Sequence, residues 1–198
     1  MAQARLAERS GRRGAFSGMP LEFLKKTFGM DIEGLVRGSF AGGNKSPLAI
    51  DLGCGNGSTI REVKRKFPGL RVIGIDVRPD RDWRLPKGTG MLHHNVEFLK
   101  MHFHEIEKNL PANYADCIWS WVSVSYAPYP QEIFRQVHAV LKPGGKCLFH
   151  MGPAVPGISS VNVPLPPRQE SAFVASLKKT GFTVKKPRPY IYFVTKKP

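Results

Sequence analysis

Cysteine and long apolar runs are both scarce in this sequence. The 198 residues include three cysteines, Cys54, Cys117 and Cys147, and this odd number at wide spacing fits neither a disulfide framework nor a zinc site. No apolar run approaches the roughly 18 residues of a membrane span, and no secretory signal is recognisable. The cysteine usage predicts a reducing compartment, with the cytoplasm as the expected location.

Acidic side chains are also scarce. Asp and Glu total 15 against 30 Lys and Arg, which gives a formal net charge of +15. The positive excess lies at the two ends, whereas residues 51–150 are nearly balanced. A domain this basic often binds a polyanion, so nucleic acid is the expected partner, and a solubilising surface is the alternative.

The length and the overall composition favour one globular domain. Residues 1–19 are rich in Arg, Ser and Gly, and we expect them to form a mobile basic arm. A mitochondrial presequence is the alternative, which Glu8 weakens. Residues 20–198 are expected to form the domain, with N-terminal helices over 20–46 and the core over 47–198.

Short apolar runs alternate with amphipathic segments along the core, which predicts an α/β sheet that is mostly parallel. The predicted strands are residues 48–50, 71–75, 96–101, 115–122, 147–151, 182–184 and 191–195. The predicted helices are residues 21–36 with a break near Gly29, 58–67, 104–110, 130–141 and 169–180. Residues 142–145 are predicted to form a turn, and residues 78–95 and 152–167 are expected to be irregular.

The central motif is Asp51-Leu-Gly53-Cys54-Gly55-Asn56-Gly57, between a predicted strand and a predicted helix. Glycine at alternate positions lets the backbone turn sharply and approach a ligand. Ser58 replaces the third glycine of a dinucleotide fingerprint, and the lysine of a P-loop is absent. The carboxylate of Asp51 would repel a pyrophosphate, so it favours a ligand with a positively charged end.

A second carboxylate, Asp76, ends the next predicted strand. A carboxylate in that position can accept hydrogen bonds from both hydroxyls of a ribose. Asp51 and Asp76 together indicate a nucleoside with a cationic tail. Ordinary turn formation and helix capping are the alternative.

With the two later motifs, the chain resembles the class I S-adenosylmethionine-dependent methyltransferases. The four motifs are Asp51–Gly57, the strand that ends Gly74-Ile75-Asp76, the strand from Asp116, and Leu141–Gly145. The resemblance implies a single-domain, doubly wound, seven-stranded mixed sheet whose last strand is antiparallel. It also implies S-adenosyl-L-methionine as the cofactor and methyl transfer by in-line displacement as the reaction.

The resemblance assigns roles by position. The methionine end of the cofactor would bind at the glycine-rich loop, the ribose at Asp76, the adenine beside Val77 and the residues after the third strand, and the methyl group beside the end of the fourth strand. The family often has an acidic residue after the third strand, where this chain has His102. The predicted cofactor-binding residues are Asp51, Gly53, Cys54, Gly55, Asn56, Asp76, Val77, Met101, His102, Ser120 and Trp121.

The segment after the fourth strand is expected to face the methyl acceptor. It lacks the Asn/Asp-Pro-Pro-aromatic tetrad of amino-group nucleic-acid methyltransferases, and neither a Pro-Cys pair nor a Lys-Asp-Lys-Glu set is recognisable. Trp121, Tyr126 and Tyr129 are candidates for stacking on a flat acceptor, with packing of the loop as the alternative. The candidate catalytic residues are His150, as a general base, and Tyr126. A buried, hydrogen-bonded histidine is the alternative for His150, and no metal site is predicted.

The basic C-terminal segment carries interleaved aromatic residues, among them Tyr190 and Phe193, which is typical of a nucleic-acid surface, although aromatic residues in strands are more often core. The predicted function is therefore an S-adenosylmethionine-dependent methyltransferase with a nucleic-acid acceptor, RNA being favoured. A small-molecule or protein methyltransferase and a non-catalytic RNA-binding protein are the alternatives.

Overall fold

Seven strands form a single sheet in the computed structural model, which describes residues 20–77, 95–127, 129–151 and 167–198. The strand order is β3-β2-β1-β4-β5-β7-β6; neighbours among β1 to β5 are parallel, and β7 is antiparallel to β5 and β6. The predicted seven-stranded mixed sheet is confirmed. The strands are β1 (Leu48–Leu52), β2 (Arg71–Asp76), β3 (Val96–Lys100), β4 (Ala115–Ser120), β5 (Leu141–His150), β6 (Phe182–Arg188) and β7 (Ile191–Lys196).

Helices precede and connect the strands. They are α1 (Leu21–Phe23), which continues as a π-helical turn (Leu24–Phe28), α2 (Ile32–Ser39), α3 (Ser58–Lys66), α4 (Ile106–Asn109), α5 (Pro130–Val140) and α6 (Pro167–Lys179). Short 3-10 turns lie at Ala41–Gly43, Phe103–Glu105 and Ser123–Tyr126. None of the described helices is long and apolar enough to cross a lipid bilayer.

The predicted helix break at Gly29 is confirmed. Gly29 ends the π-helical turn with φ +78°, a value that glycine adopts without steric cost. The side chain of Arg188 packs against it so closely that a Cβ atom at this position would lie 2.6 Å from Arg188 Cδ. The N-terminal helices are thereby attached to the C-terminal β6–β7 hairpin.

Each face of the sheet is covered by its own apolar layer, because successive side chains of a strand point to opposite faces. Helices α5 and α6 pack on one face, through residues such as Phe134 and Phe173. Helices α1, α2 and α3 pack on the other face, where Leu24, Val36 and Ile60 meet the strand residue Trp119. The doubly wound arrangement is therefore confirmed within the described residues.

The predicted boundaries differ most from the structure at three places. The fourth strand ends at Ser120 rather than Val122, because Val122 adopts φ +63° and turns the chain away. The segment 142–145 is not a separate turn but a bulge within β5: Leu141 pairs with Ala115 and Lys146 with Cys117, so the residues between them lie out of register. Strand β6 continues beyond the predicted Val184 to Arg188. The predictions for residues 1–19, 78–94 and 152–166 lie outside the described residues.

Candidate functional site

The carboxyl ends of β1, β2 and β4 meet at one edge of the sheet, where ligands bind in doubly wound folds. Asp51 on β1 stands opposite Gly74 on β2 and Trp119 on β4 in the strand registers. The glycine-rich loop, residues 53–57, follows β1 and leads directly into α3. Asp76 ends β2 beside this loop. The structure thus brings together the two carboxyl groups that the sequence singled out.

The glycines of this loop are required by their backbone conformation and by close contacts. Gly53, Gly55 and Gly57 have φ values of +80°, +51° and +73°. A Cβ atom on Gly53 would lie 2.1 Å from the Cβ of Ser123, which is too short for two carbon atoms that are not bonded to each other. Gly53 also donates a backbone hydrogen bond to Ile75 O at 2.7 Å, which holds the loop against β2. A residue with a side chain could therefore not replace Gly53 unless the turn after β4 moved.

Burial changes the acidity of Asp51. Its side chain is 3% exposed, and this loss of solvation, with a smaller contribution from the nearby Asp76, raises its pKa from 3.8 to about 7. The Trp119 side chain opposes the rise, although its indole Nε1 makes no hydrogen bond of normal geometry within the described residues. A cation placed beside this carboxyl would stabilise its charged form.

Asp76 connects the loop to the end of β2. Its Oδ2 accepts a hydrogen bond from the backbone N–H of Gly55 at 3.0 Å. Val77, the next residue, is 39% exposed, and Met101 N donates to Asp76 O at 3.2 Å, which places the start of the β3 loop beside it. The Met101 side chain belongs to the apolar core, so it is the backbone of this residue that borders the site.

Three predicted cofactor residues have side chains with other partners. The side chain of Asn56 accepts a hydrogen bond from Ser58 N at 3.0 Å and so supports the loop. Cys54 is buried in the core, and burial raises the pKa of its thiol. His102 is exposed and its ring stacks on His104 at 5.3 Å, while its backbone N–H donates to Glu105.

The turn after β4 is tight and contains an unusual backbone conformation. Ser123 N donates to Trp121 O at 2.7 Å across Val122, whose φ of +63° is strained for a β-branched residue. Ser120 is buried, and its Oγ donates to Leu52 O at 3.1 Å and contacts Ser123 Oγ at 2.8 Å. These bonds attach the turn to the end of β1, so Ser123, which the sequence did not single out, shapes the site.

An aromatic cluster, Phe28, Trp121, His150 and Tyr190, lies at the ends of β4 and β5. The centroid of the Trp121 ring is 4.4 Å from that of Phe28 and 4.7 Å from that of His150, and Tyr190 lies 6.2 Å from His150. His150 is 3% exposed, which agrees with the alternative of a packed histidine. The role of His150 as a general base stays a prediction.

The predicted acceptor segment is only partly described. Tyr126 ends the turn Ser123–Tyr126, and its side chain lies outside the described residues. Tyr129 is 72% exposed and lines a cleft of about 760 Å³ between α4 and α5. Among the residues described, no group of three or more His, Cys, Asp or Glu side chains is placed to hold a metal ion.

A family model described as a methyltransferase domain matches residues 50–147. This range contains the glycine-rich loop and both carboxyl groups. A solved structure of an S-adenosylmethionine-dependent methyltransferase from Aquifex aeolicus has the same fold, with a TM-score of 0.61 at 19% identity over 97% of this chain and 96% of that one.

Two relatives match part of the chain. A sterol 24-C-methyltransferase of Eremothecium gossypii is 30% identical over 110 residues, which cover 53% of this chain and 28% of the sterol enzyme. A tRNA (guanine-N(7)-)-methyltransferase of Christiangramia forsetii is 35% identical over 81 residues, which cover 38% of this chain and 34% of that enzyme. The matches thus span about a third or less of the length of these relatives.

Proposed function

Because the chain belongs to the class I S-adenosylmethionine-dependent methyltransferases, we propose that it transfers a methyl group from S-adenosylmethionine to RNA. The observation that carries the cofactor assignment is the pair of carboxyl groups, Asp51 and Asp76, on either side of a loop that only glycine can form. The cofactor supplies a methyl group on a positively charged sulfonium.

The residues present fit the amino-acid end and the ribose of this cofactor. The carboxyl of Asp51, whose charged form a cation would stabilise, suits the ammonium and sulfonium end. The carboxylate of Asp76 would accept hydrogen bonds from the ribose hydroxyls, as carboxylates do in related nucleotide sites. The lack of a side chain at Gly53 lets the turn after β4 pack directly against the glycine-rich loop. Alignment of the acceptor with the methyl group then supplies much of the rate enhancement.

Two features support RNA as the acceptor. The net charge of +15 is large enough to attract a polyanion, and β6 exposes Lys185 and Arg188 at one edge of the sheet. Trp121 and the exposed Tyr129 lie after β4, where flat rings can stack on a base.

A small-molecule acceptor is the second candidate. The aromatic cluster packs Phe28 and His150 against Trp121, and these rings would form an apolar wall for a compact acceptor. The relative from Eremothecium gossypii is named as a sterol methyltransferase, which is consistent with this candidate.

We expect cofactor affinity to depend on pH through Asp51. Its pKa is raised to about 7, and the ammonium group of the ligand favours the charged carboxylate, so binding should weaken as the pH falls through 7. Between pH 8 and pH 6 the association constant for S-adenosylhomocysteine should fall about tenfold. Calorimetric titrations at both pH values measure this, and the Asp51→Asn variant should bind weakly at both pH values, without the tenfold fall. A flat profile in the wild type would contradict the assignment of Asp51.

A transfer assay separates the two acceptors. The protein is incubated with tritium-labelled S-adenosylmethionine and either total RNA or a protein-free extract of small metabolites. The proposal predicts label in the RNA, sensitive to ribonuclease, suppressed by high salt and absent with Asp76→Ala. Label confined to the small-metabolite fraction would overturn the RNA acceptor and favour the second candidate.

A further inference from the structure

Beyond the edge of α2, the sheet face formed by β5, β7 and β6 opens into a groove. Helix α2 packs against β4 and β5. In the strand registers, Leu148 on β5 stands opposite Phe193 on β7, which stands opposite Lys185 on β6, so the three side chains form a row across this face. The row lines a groove of about 410 Å³, with Gly29 and Leu35 on the opposite wall. We call it the basic groove.

The rim of the basic groove is positively charged. Lys146 and Lys185 line it, and Arg188 lies beside it against Gly29, with its Nη1 donating to Lys26 O at 3.1 Å. Within the described residues none of these three side chains is in an ion pair with Asp or Glu. The acidic residue that lines the groove, Asp31, is neutralised by Lys25 at 3.0 Å.

The middle of the basic groove is aromatic. Phe193 is half-buried between Leu148 and Lys185, and it lines the groove. An aromatic side chain on a sheet face with basic side chains around it provides the two contacts that single-stranded nucleic acids need, stacking for the bases and positive charge for the phosphates. Duplexes cannot use the ring in this way because their bases are already stacked.

We propose that the basic groove binds a single-stranded segment of RNA. Its relation to methylation rests on the proposed function: the bound segment would flank the nucleotide that receives the methyl group. Gly29 in the groove wall directly follows Phe28, which contacts Trp121 and His150 of the aromatic cluster. The groove and the end of the sheet that carries the cofactor motifs are therefore joined by adjacent residues.

Two double variants, which change the net charge by the same amount, test whether the RNA binds in the basic groove. Fluorescence anisotropy would measure binding of a labelled 15-nucleotide single-stranded RNA to the wild type, to Lys146→Glu with Lys185→Glu, and to Lys178→Glu with Lys179→Glu on α6. The groove variant should bind at least tenfold more weakly at 100 mM salt, and the slope of log affinity against log salt should fall by about 1.4. The α6 variant, whose lysines are exposed at the end of a helix, should lose less than threefold.

A third variant tests stacking. Phe193→Leu keeps an apolar side chain but removes the ring, so affinity should fall about tenfold with little change in the salt slope. Equal losses in the two double variants, unchanged binding by Phe193→Leu, equally tight binding of a duplex of the same length, or no binding by the wild type would each overturn the proposal. Binding of S-adenosylhomocysteine, measured by calorimetry in each variant, should be unchanged. This separate readout distinguishes failure of the groove from failure of the cofactor site.

Discussion

Replacing Asp51 by Asn should stabilise the ligand-free protein at pH 8, by about 2–4 kcal/mol, while abolishing most cofactor binding. The folded protein holds the proton of Asp51 more tightly than the unfolded chain, because burial raises the pKa from 3.8 to about 7. Between these two pH values the folded state binds more protons, so its stability falls as the pH rises, and the full cost is present above pH 7. Asparagine is neutral at every pH and avoids that cost.

Urea unfolding of the wild type and of Asp51→Asn at pH 4 and pH 8 measures the effect. The difference in the free energy of unfolding between the two proteins should be small at pH 4 and should reach about 2–4 kcal/mol at pH 8. Asp116→Asn is the matched control, because Asp116 is held by Lys142 at 2.8 Å and by Leu48 N, and losing its charge should destabilise the protein by about 1 kcal/mol at pH 8. Destabilisation by Asp51→Asn at pH 8 would contradict the interpretation that the buried carboxylate of Asp51 is unfavourable in the absence of a cationic ligand group.

Gly53→Ala should lower the free energy of unfolding by about 3–5 kcal/mol and abolish binding of S-adenosylhomocysteine. Two costs add at this position. A φ of +80° costs a residue with a Cβ atom about 1–2 kcal/mol. The added atom would also lie 2.1 Å from the Cβ and 2.2 Å from the Oγ of Ser123, so the turn after β4 must move.

Gly144→Ala separates the two costs. Gly144 has φ +75°, and no heavy atom of the described residues lies within 4 Å of the position where its Cβ would be. This variant should lose about 1 kcal/mol and keep its cofactor affinity. Adding Ser123→Gly to Gly53→Ala removes the clashing atoms and should recover part of the stability. Equal losses for Gly53→Ala and Gly144→Ala would show that the contact with Ser123 is unimportant.

Much of the candidate site was predictable because its signals are local in sequence. The motif Asp51–Gly57 combines an apolar strand, glycines that need positive φ and a following helix, and Asp76 repeats the pattern of a carboxylate at a strand end. The alternation of apolar strands with amphipathic helices predicted the order of the secondary-structure elements. Trp119, which stands opposite Asp51 in the strand register, was not singled out by the sequence.

The rest of the site depends on contacts between distant residues. Phe28 reaches Trp121 only because the N-terminal helices fold over the sheet, and no local pattern predicts that contact. Val122 has a β-branched side chain, which favours a strand, yet tertiary bonds of the turn hold it at positive φ. The glycines of the bulge in β5 likewise predicted a turn, because the composition of the segment does not show that Leu141 pairs with Ala115.

Calorimetric titration of the wild type with S-adenosylhomocysteine, beside Asp76→Ala and the exposed control Glu132→Ala, tests the central claim most directly. We expect micromolar binding by the wild type and by Glu132→Ala, and at least a hundredfold loss in Asp76→Ala, which loses both the proposed ribose acceptor and the bond to Gly55. A folded wild type that does not bind S-adenosylhomocysteine, or an Asp76→Ala variant that binds it as tightly as the control, would contradict the account.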